Sequence, residues 1–92
     1  MNHQQMLDYL GRVNVLFDEF RPQLTELEIE DVNHLIIHSE APDGIRTLAW
    51  ILEEKKIELA ESKRVQILEL IGGLVPDEHL PPSYQNLNPQ TK

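Results

Sequence analysis

His34 and His38 stand four residues apart, so on a helix their imidazoles share one face and supply two potential metal ligands. Two ligands fall short of a zinc centre. Glu30 or Glu40 would have to complete it, and the His-Glu-x-x-His order of a metalloprotease helix is absent. Asn33-His34-Leu35-Ile36-Ile37-His38 therefore reads as a helix surface with two partner-facing or solvated imidazoles, and neither metal nor cofactor is expected. Nucleophilic chemistry has less to work with. Ser39, Ser62 and Ser83 fall in turn or cap contexts, and no Gly-x-Ser-x-Gly elbow, glycine-rich phosphate loop or cysteine occurs. Carboxylates are plentiful, but acid and base roles need a cleft that holds two of them in different environments. No catalytic residue is assigned, and the chain is expected not to be an enzyme.

Those carboxylates point to binding. Between Asp18 and Asp43 lie Asp18, Glu19, Glu26, Glu28, Glu30, Asp31, Glu40 and Asp43, with Arg21 the one base in that segment. They alternate with apolar residues at helical spacing, which marks a structured face and not a solvating acidic tail. With sixteen acids against eight bases and a formal net charge of −8, the chain repels nucleic acid and anionic membrane and attracts a basic protein. The competing explanation is a solvated face that keeps a small protein soluble. The candidate partner-binding residues are Asp18, Glu19, Glu26, Glu30, Asp31, His34, His38, Glu40, Asp43 and Trp50. Trp50 is off the apolar stripe of its segment by more than a quarter turn, which suits a rim anchor near the Glu40 and Asp43 end or a partly buried core residue. Tyr84, among prolines, either clamps a partner or folds back on the body.

Periodicity supplies the elements that would carry this face. Met6, Leu10, Val13, Phe17 and Phe20 draw a helical stripe, with Tyr9 and Leu16 beside it. Pro22 should end that helix by pushing Arg21 out of the helical region. Thr25-Glu26-Leu27-Glu28 has the spacing of a capping box and starts a second helix, with Ile29, Val32, Leu35 and Ile36 inward and Glu26, Glu30, Asn33, His34 and Ile37 outward. A third helix opens at Pro42 and buries Ile45, Leu48, Ala49 and Leu52. A fourth runs from Ser62 to Ile71, with Val65, Ile67, Leu68 and Ile71 as its apolar side and Gly72-Gly73 as its stop. No strand alternation or long-period repeat appears. The expected fold is all-α: a compact bundle of about four helices over residues 1–80, followed by an extended Pro-rich C-terminal tail over 81–92.

Ninety-two residues make one domain. The start, Met1-Asn2-His3-Gln4-Gln5, has neither the basic region nor the apolar run of a signal peptide, and no apolar stretch approaches the roughly 20 residues that span a bilayer. The absence of cysteine suits a reducing compartment. The expectation is a soluble protein of the cytoplasm.

From Leu24 to Asp77, a little over half the chain, the sequence resembles the MafI-type immunity proteins of bacterial competition systems, which include contact-dependent growth inhibition. The resemblance rests on the Leu24-to-Val32 opening, the His38-Ser39-Glu40 turn, Leu48-Ala49 with Leu52, and the Lys56-Ile57-Glu58-Leu59 linker. The family commonly has His-Gly-Glu at that turn. Here Ser39 replaces the glycine, and Ala41-Pro42-Asp43-Gly44 lengthens the turn. The resemblance implies a small helical protein that neutralises a cognate toxin, often an RNase, in the cytoplasm. The partner would be one basic nuclease domain, bound 1:1, with no nucleic acid or membrane involved. A nuclease cleft must attract phosphate, and so it also attracts an acidic inhibitor. A different class of function, a small acidic adapter within a helical assembly, fits the same surface without a toxin. An enzyme with a histidine–carboxylate site is the third class. A toxin-bearing reading frame beside the gene would separate the first two.

Overall fold

The computed structural model describes residues 2–85 and, among them, contains five helices and no strand. Helix α1, His3–Phe20, begins with a capping box that sequence inspection overlooked: Asn2 Oδ1 accepts from the Gln5 backbone N–H at 2.8 Å, and Gln5 Oε1 accepts from the Asn2 N–H at 2.9 Å. Its end corrects the expectation for Arg21. That residue keeps a helical conformation (φ −48°, ψ −42°) and enters a 3-10 turn, Arg21–Gln23; the chain becomes extended only at Leu24. Pro22 stops the α-helix because it has no N–H to offer the Asp18 carbonyl, yet proline is tolerated in the first turn of the 3-10 segment, where that donor is not needed.

Helix α2, Glu26–Ile37, starts with the expected capping box: Thr25 Oγ1 accepts from the Glu28 N–H, and Glu28 Oε1 accepts from the Thr25 N–H. It closes through Ser39, which takes the left-handed φ of 66° so that the Glu40 N–H can donate to the Leu35 carbonyl at 2.8 Å. Helix α3, Ala41–Glu54, carries Pro42 as its second residue, one position later than expected. It ends the same way, with Lys56 at φ 58° and the Ile57 N–H returning to the Leu52 carbonyl. Helix α4, Glu61–Ile71, begins one residue before Ser62 and stops at Gly72, whose φ of 60° suits glycine. A 3-10 turn, Asp77–His79, and the short α5, Pro82–Gln85, complete the described chain.

The centre is the α3 stripe. Ile45, Leu48, Ala49 and Leu52 are fully buried, with α2 packed along one side and α1 and α4 against the others. Val13, Leu16, Phe17 and Phe20 come from α1, Val32 and Ile36 from α2, and Ile67, Leu70 and Ile71 from α4. Two apolar assignments shift. Met6 is 45% exposed because the first turns of α1 run past the body, and Leu70 is buried while Val65 and Leu68 are only half-buried. The all-α bundle is as expected, but Pro82–Gln85 is helical and not extended. Leu80, Pro81 and Tyr84 are buried, so the packed body continues past the boundary expected at residue 80. The remainder of the tail, 86–92, lies outside the described residues.

Glycine marks a close contact between α2 and α3. A Cβ on Gly44 would stand 3.2 Å from Ile36 Cγ1 and 3.3 Å from the Val32 carbonyl oxygen, so α2 and α3 meet at this distance only because the side chain is absent. A Cβ on Gly11 meets nothing within 4 Å. Two opposite results are expected in thermal or urea unfolding: Gly44→Ala destabilises by about 1–3 kcal/mol through overpacking, while Gly11→Ala, on an exposed helix interior, stabilises by roughly 0.5–1 kcal/mol. Equal effects at the two positions would contradict the packing described.

Candidate protein-binding site

The acidic belt divides into two sets once folded. Asp18 pairs with Arg21 at 2.6 Å, Glu19 with Lys63 at 2.8 Å, Glu28 with Lys55 at 3.0 Å and Asp43 with Arg46 at 3.6 Å. The belt is therefore less one-sided than its own segment implies, because Arg46, Lys55 and Lys63 reach it from α3 and α4. These pairs are partly exposed to water, which screens them, so they neutralise the belt locally and add little to stability. The Glu28 carboxyl is held below its ordinary value, first by the Thr25 backbone N–H and then by the Lys55 ammonium. It serves the cap and the α2–α3 contact. Arg21 is occupied as well: its guanidinium lies 4.3 Å from the Phe17 ring centroid while it holds Asp18.

Glu26, Glu30, Asp31 and Glu40 form the second set. All four are exposed, and their side chains enter no ion pair or hydrogen bond among the described residues. The first three project from the outer side of α2. Along the same side come His34 and His38, with ring centroids 4.3 Å apart and planes tilted by 46°. Leu27 is 73% exposed beside them, and Ile37 is 66% exposed. The helix and the His38 residue that caps it just past its end therefore present carboxylates, two imidazoles and two bare aliphatic side chains together, a mixture suited to a protein interface. The inward face of the helix, Val32 and Ile36 with Ile29 and Leu35 at its edges, fixes which way this outer side points. Among the described residues, no group of three or more His, Cys, Asp or Glu side chains could hold a metal ion.

Asp18 and Glu19 stand apart on the last turn of α1, and Asp43 lies in the first turn of α3. Trp50 is seven residues beyond Asp43, about 10 Å further along the helix axis. It is half-buried, and its indole Nε1–H donates to the His79 carbonyl at 2.7 Å. The polar end of the ring thus fastens the Asp77–His79 turn onto α3. This local role predicts that Trp50→Ala lowers stability by about 2 kcal/mol, less than the loss at a fully buried aromatic. Thermal unfolding checks it, and an unchanged melting temperature would leave the ring free to serve as an anchor.

Sequence inspection missed the partners of Glu19 and Glu28, which lie 44 and 27 residues away and leave no local signal. It also missed an apolar groove between α1, the end of α2 and the end of α4, lined by Met6, Leu10, Ile37, Pro42 and Leu74. Ile37 gave a readable hint, being an aliphatic residue on the polar side of its helix. No helix among the described residues is long and apolar enough to cross a membrane. No family model, curated protein or solved structure matches this chain.

Proposed function

We propose that this chain is a protein inhibitor that binds one basic protein domain through the outer side of α2, and that it acts as an immunity protein against a nuclease toxin in the cytoplasm. The observation that carries this reading is the division of the acidic belt. Asp18, Glu19, Glu28 and Asp43 are matched by the chain's own bases, whereas Glu26, Glu30 and Asp31 face outward unmatched beside His34, His38, Leu27 and Ile37. Four unneutralised carboxylates, counting Glu40, draw in a basic surface, and the aliphatic side chains give it something to pack against once there. An RNase cleft offers such a surface because it must attract phosphate.

The turn after α2 adds support. Ser39 sits at φ 66°, a conformation that favours glycine, at the place where the MafI-type pattern carries glycine. The decisive experiment co-expresses the chain with the C-terminal domain of a toxin encoded beside its gene. The expected result is a 1:1 complex whose RNase activity is abolished. Failure to form a complex, or a complex with full nuclease activity, would overturn the immunity reading. Capture of a non-catalytic basic subunit through the same α2 side would favour the adapter instead.

A further inference from the structure

The groove between α1, the α2–α3 turn and the end of α4 meets the outer α2 side at Ile37 and differs from it in charge. Its volume is about 870 Å³, and its walls are largely apolar. Met6, Ile37 and Leu74 are among the few large apolar side chains left substantially exposed, at 45%, 66% and 73%, and all three line it. The charges in the lining are one of each sign, Arg12 on α1 and Glu69 on α4, and neither forms an ion pair among the described residues. A basic partner chosen by the acidic α2 side finds no matching field here. A surface carrying one unpaired base and one unpaired acid is complementary to itself.

The helix beside the groove has the same property. Residues His3 to Asp8 of α1 are all exposed, although a full capping box holds them helical and Met6 and Leu7 point apolar bulk outward. A helical overhang of this kind gains little stability in water without a surface to pack on. One wall of the groove is thus also an unpartnered apolar helix. When a single element is both socket and insert, a two-fold contact satisfies both copies at once.

We infer that this groove is a homodimer interface, in which the first turns of α1 from one copy lie in the groove of a second copy and Arg12 of each chain faces Glu69 of the other. The interface shares Ile37 with the proposed inhibitor surface but not Arg12, Glu69 or Leu74, and through those three the two can be tested apart. Sedimentation velocity over a roughly hundredfold range of concentration, reaching about 200 μM, should show the wild-type chain passing from monomer to dimer. Ile37→Glu and Leu74→Glu, both on exposed side chains, should remain monomeric while circular dichroism stays helical. Arg12→Glu and Glu69→Arg should each weaken the dimer about tenfold or more, and combining them should restore most of the loss, which mere loss of apolar area cannot explain. The triple substitution Glu26→Lys, Glu30→Lys, Asp31→Lys should still dimerise. A wild-type chain that stays monomeric throughout, or a dimer indifferent to Ile37→Glu and to the Arg12 and Glu69 exchange, would overturn the proposal. A monomer whose Leu74→Glu variant loses affinity for a basic domain would assign the groove to that partner instead.

Discussion

Changing Glu26, Glu30 and Asp31 together to lysine is expected to slow association with a basic partner domain by an order of magnitude or more, while dissociation changes less and the circular dichroism spectrum remains helical. The three carboxylates are exposed and make no ion pair in the free protein, so reversing them removes no internal contact and should leave the fold standing. The substitutions take the formal net charge from −8 to roughly −2 and place the change on one helix side. Steering of this kind raises association rates by about 10- to 1,000-fold and fades with salt, because exposed charges are screened beyond roughly 10 Å at 0.1 M ionic strength. The difference between wild type and variant should therefore shrink steadily as salt is added. A matched control reverses Asp18, Glu19 and Asp43, which already have bases beside them. It should slow association less and, by breaking ion pairs with Arg21, Lys63 and Arg46, cost a little stability. Stopped-flow association at low ionic strength decides the matter. Equal rates for wild type and the α2 variant would remove that side from recognition.

What sequence could show of this surface follows from the range of the forces involved. The α2 capping box, the inward Val32 and Ile36, and the outward Glu30, His34 and Ile37 are consequences of helical geometry over a few residues, and the folded chain has them where periodicity put them. The α3 stripe was legible for the same reason, since a residue at every third or fourth position is enough to define it. The neutralisation of Glu19 by Lys63 was not, because it depends on how α1 and α4 cross and leaves no mark in either segment alone. Helix ends were harder than helix interiors. Arg21 stayed helical because a 3-10 turn can accept Pro22, and Ser39 and Lys56 adopt left-handed conformations without the glycine that would have announced them. Trp50 shows a third limit. Its angle on the helix placed it beside the stripe, but only the return of the chain at His79 decides what its indole N–H meets.

The C-terminal segment gives the largest expected change in stability. Tyr84 is 1% exposed within α5, and its ring belongs to the hydrophobic core although its neighbours in sequence are prolines and polar residues. Tyr84→Ala should cost about 3–5 kcal/mol, the loss typical of emptying a buried aromatic site. For a domain of this length that lowers the melting temperature by roughly 15 °C or more. The hydroxyl is another matter. It is buried without a hydrogen-bond partner among the described residues, so Tyr84→Phe should be neutral or slightly stabilising. Tyr9→Phe, by contrast, should lose about 1 kcal/mol, because the Tyr9 hydroxyl donates to the Leu70 carbonyl at 2.7 Å. Burial, with the Glu53 carboxylate adding to it and Arg64 opposing, pushes the Tyr84 phenol from 10.0 up to about 12. Since the unfolded chain releases that proton near pH 10 and the folded chain holds it to about pH 12, the Tyr84 share of stability is level below pH 10 and is lost as pH rises through that interval. Tyr84→Phe should flatten this alkaline decline, leaving the part due to Tyr9, whose pKa burial also raises. If Tyr84→Ala unfolds at the wild-type temperature, α5 contributes nothing to the core and the body ends before it. If the alanine variant melts early while the phenylalanine variant does not, packing of the ring holds the C-terminal turn, and a partner has no exposed Tyr84 to grip.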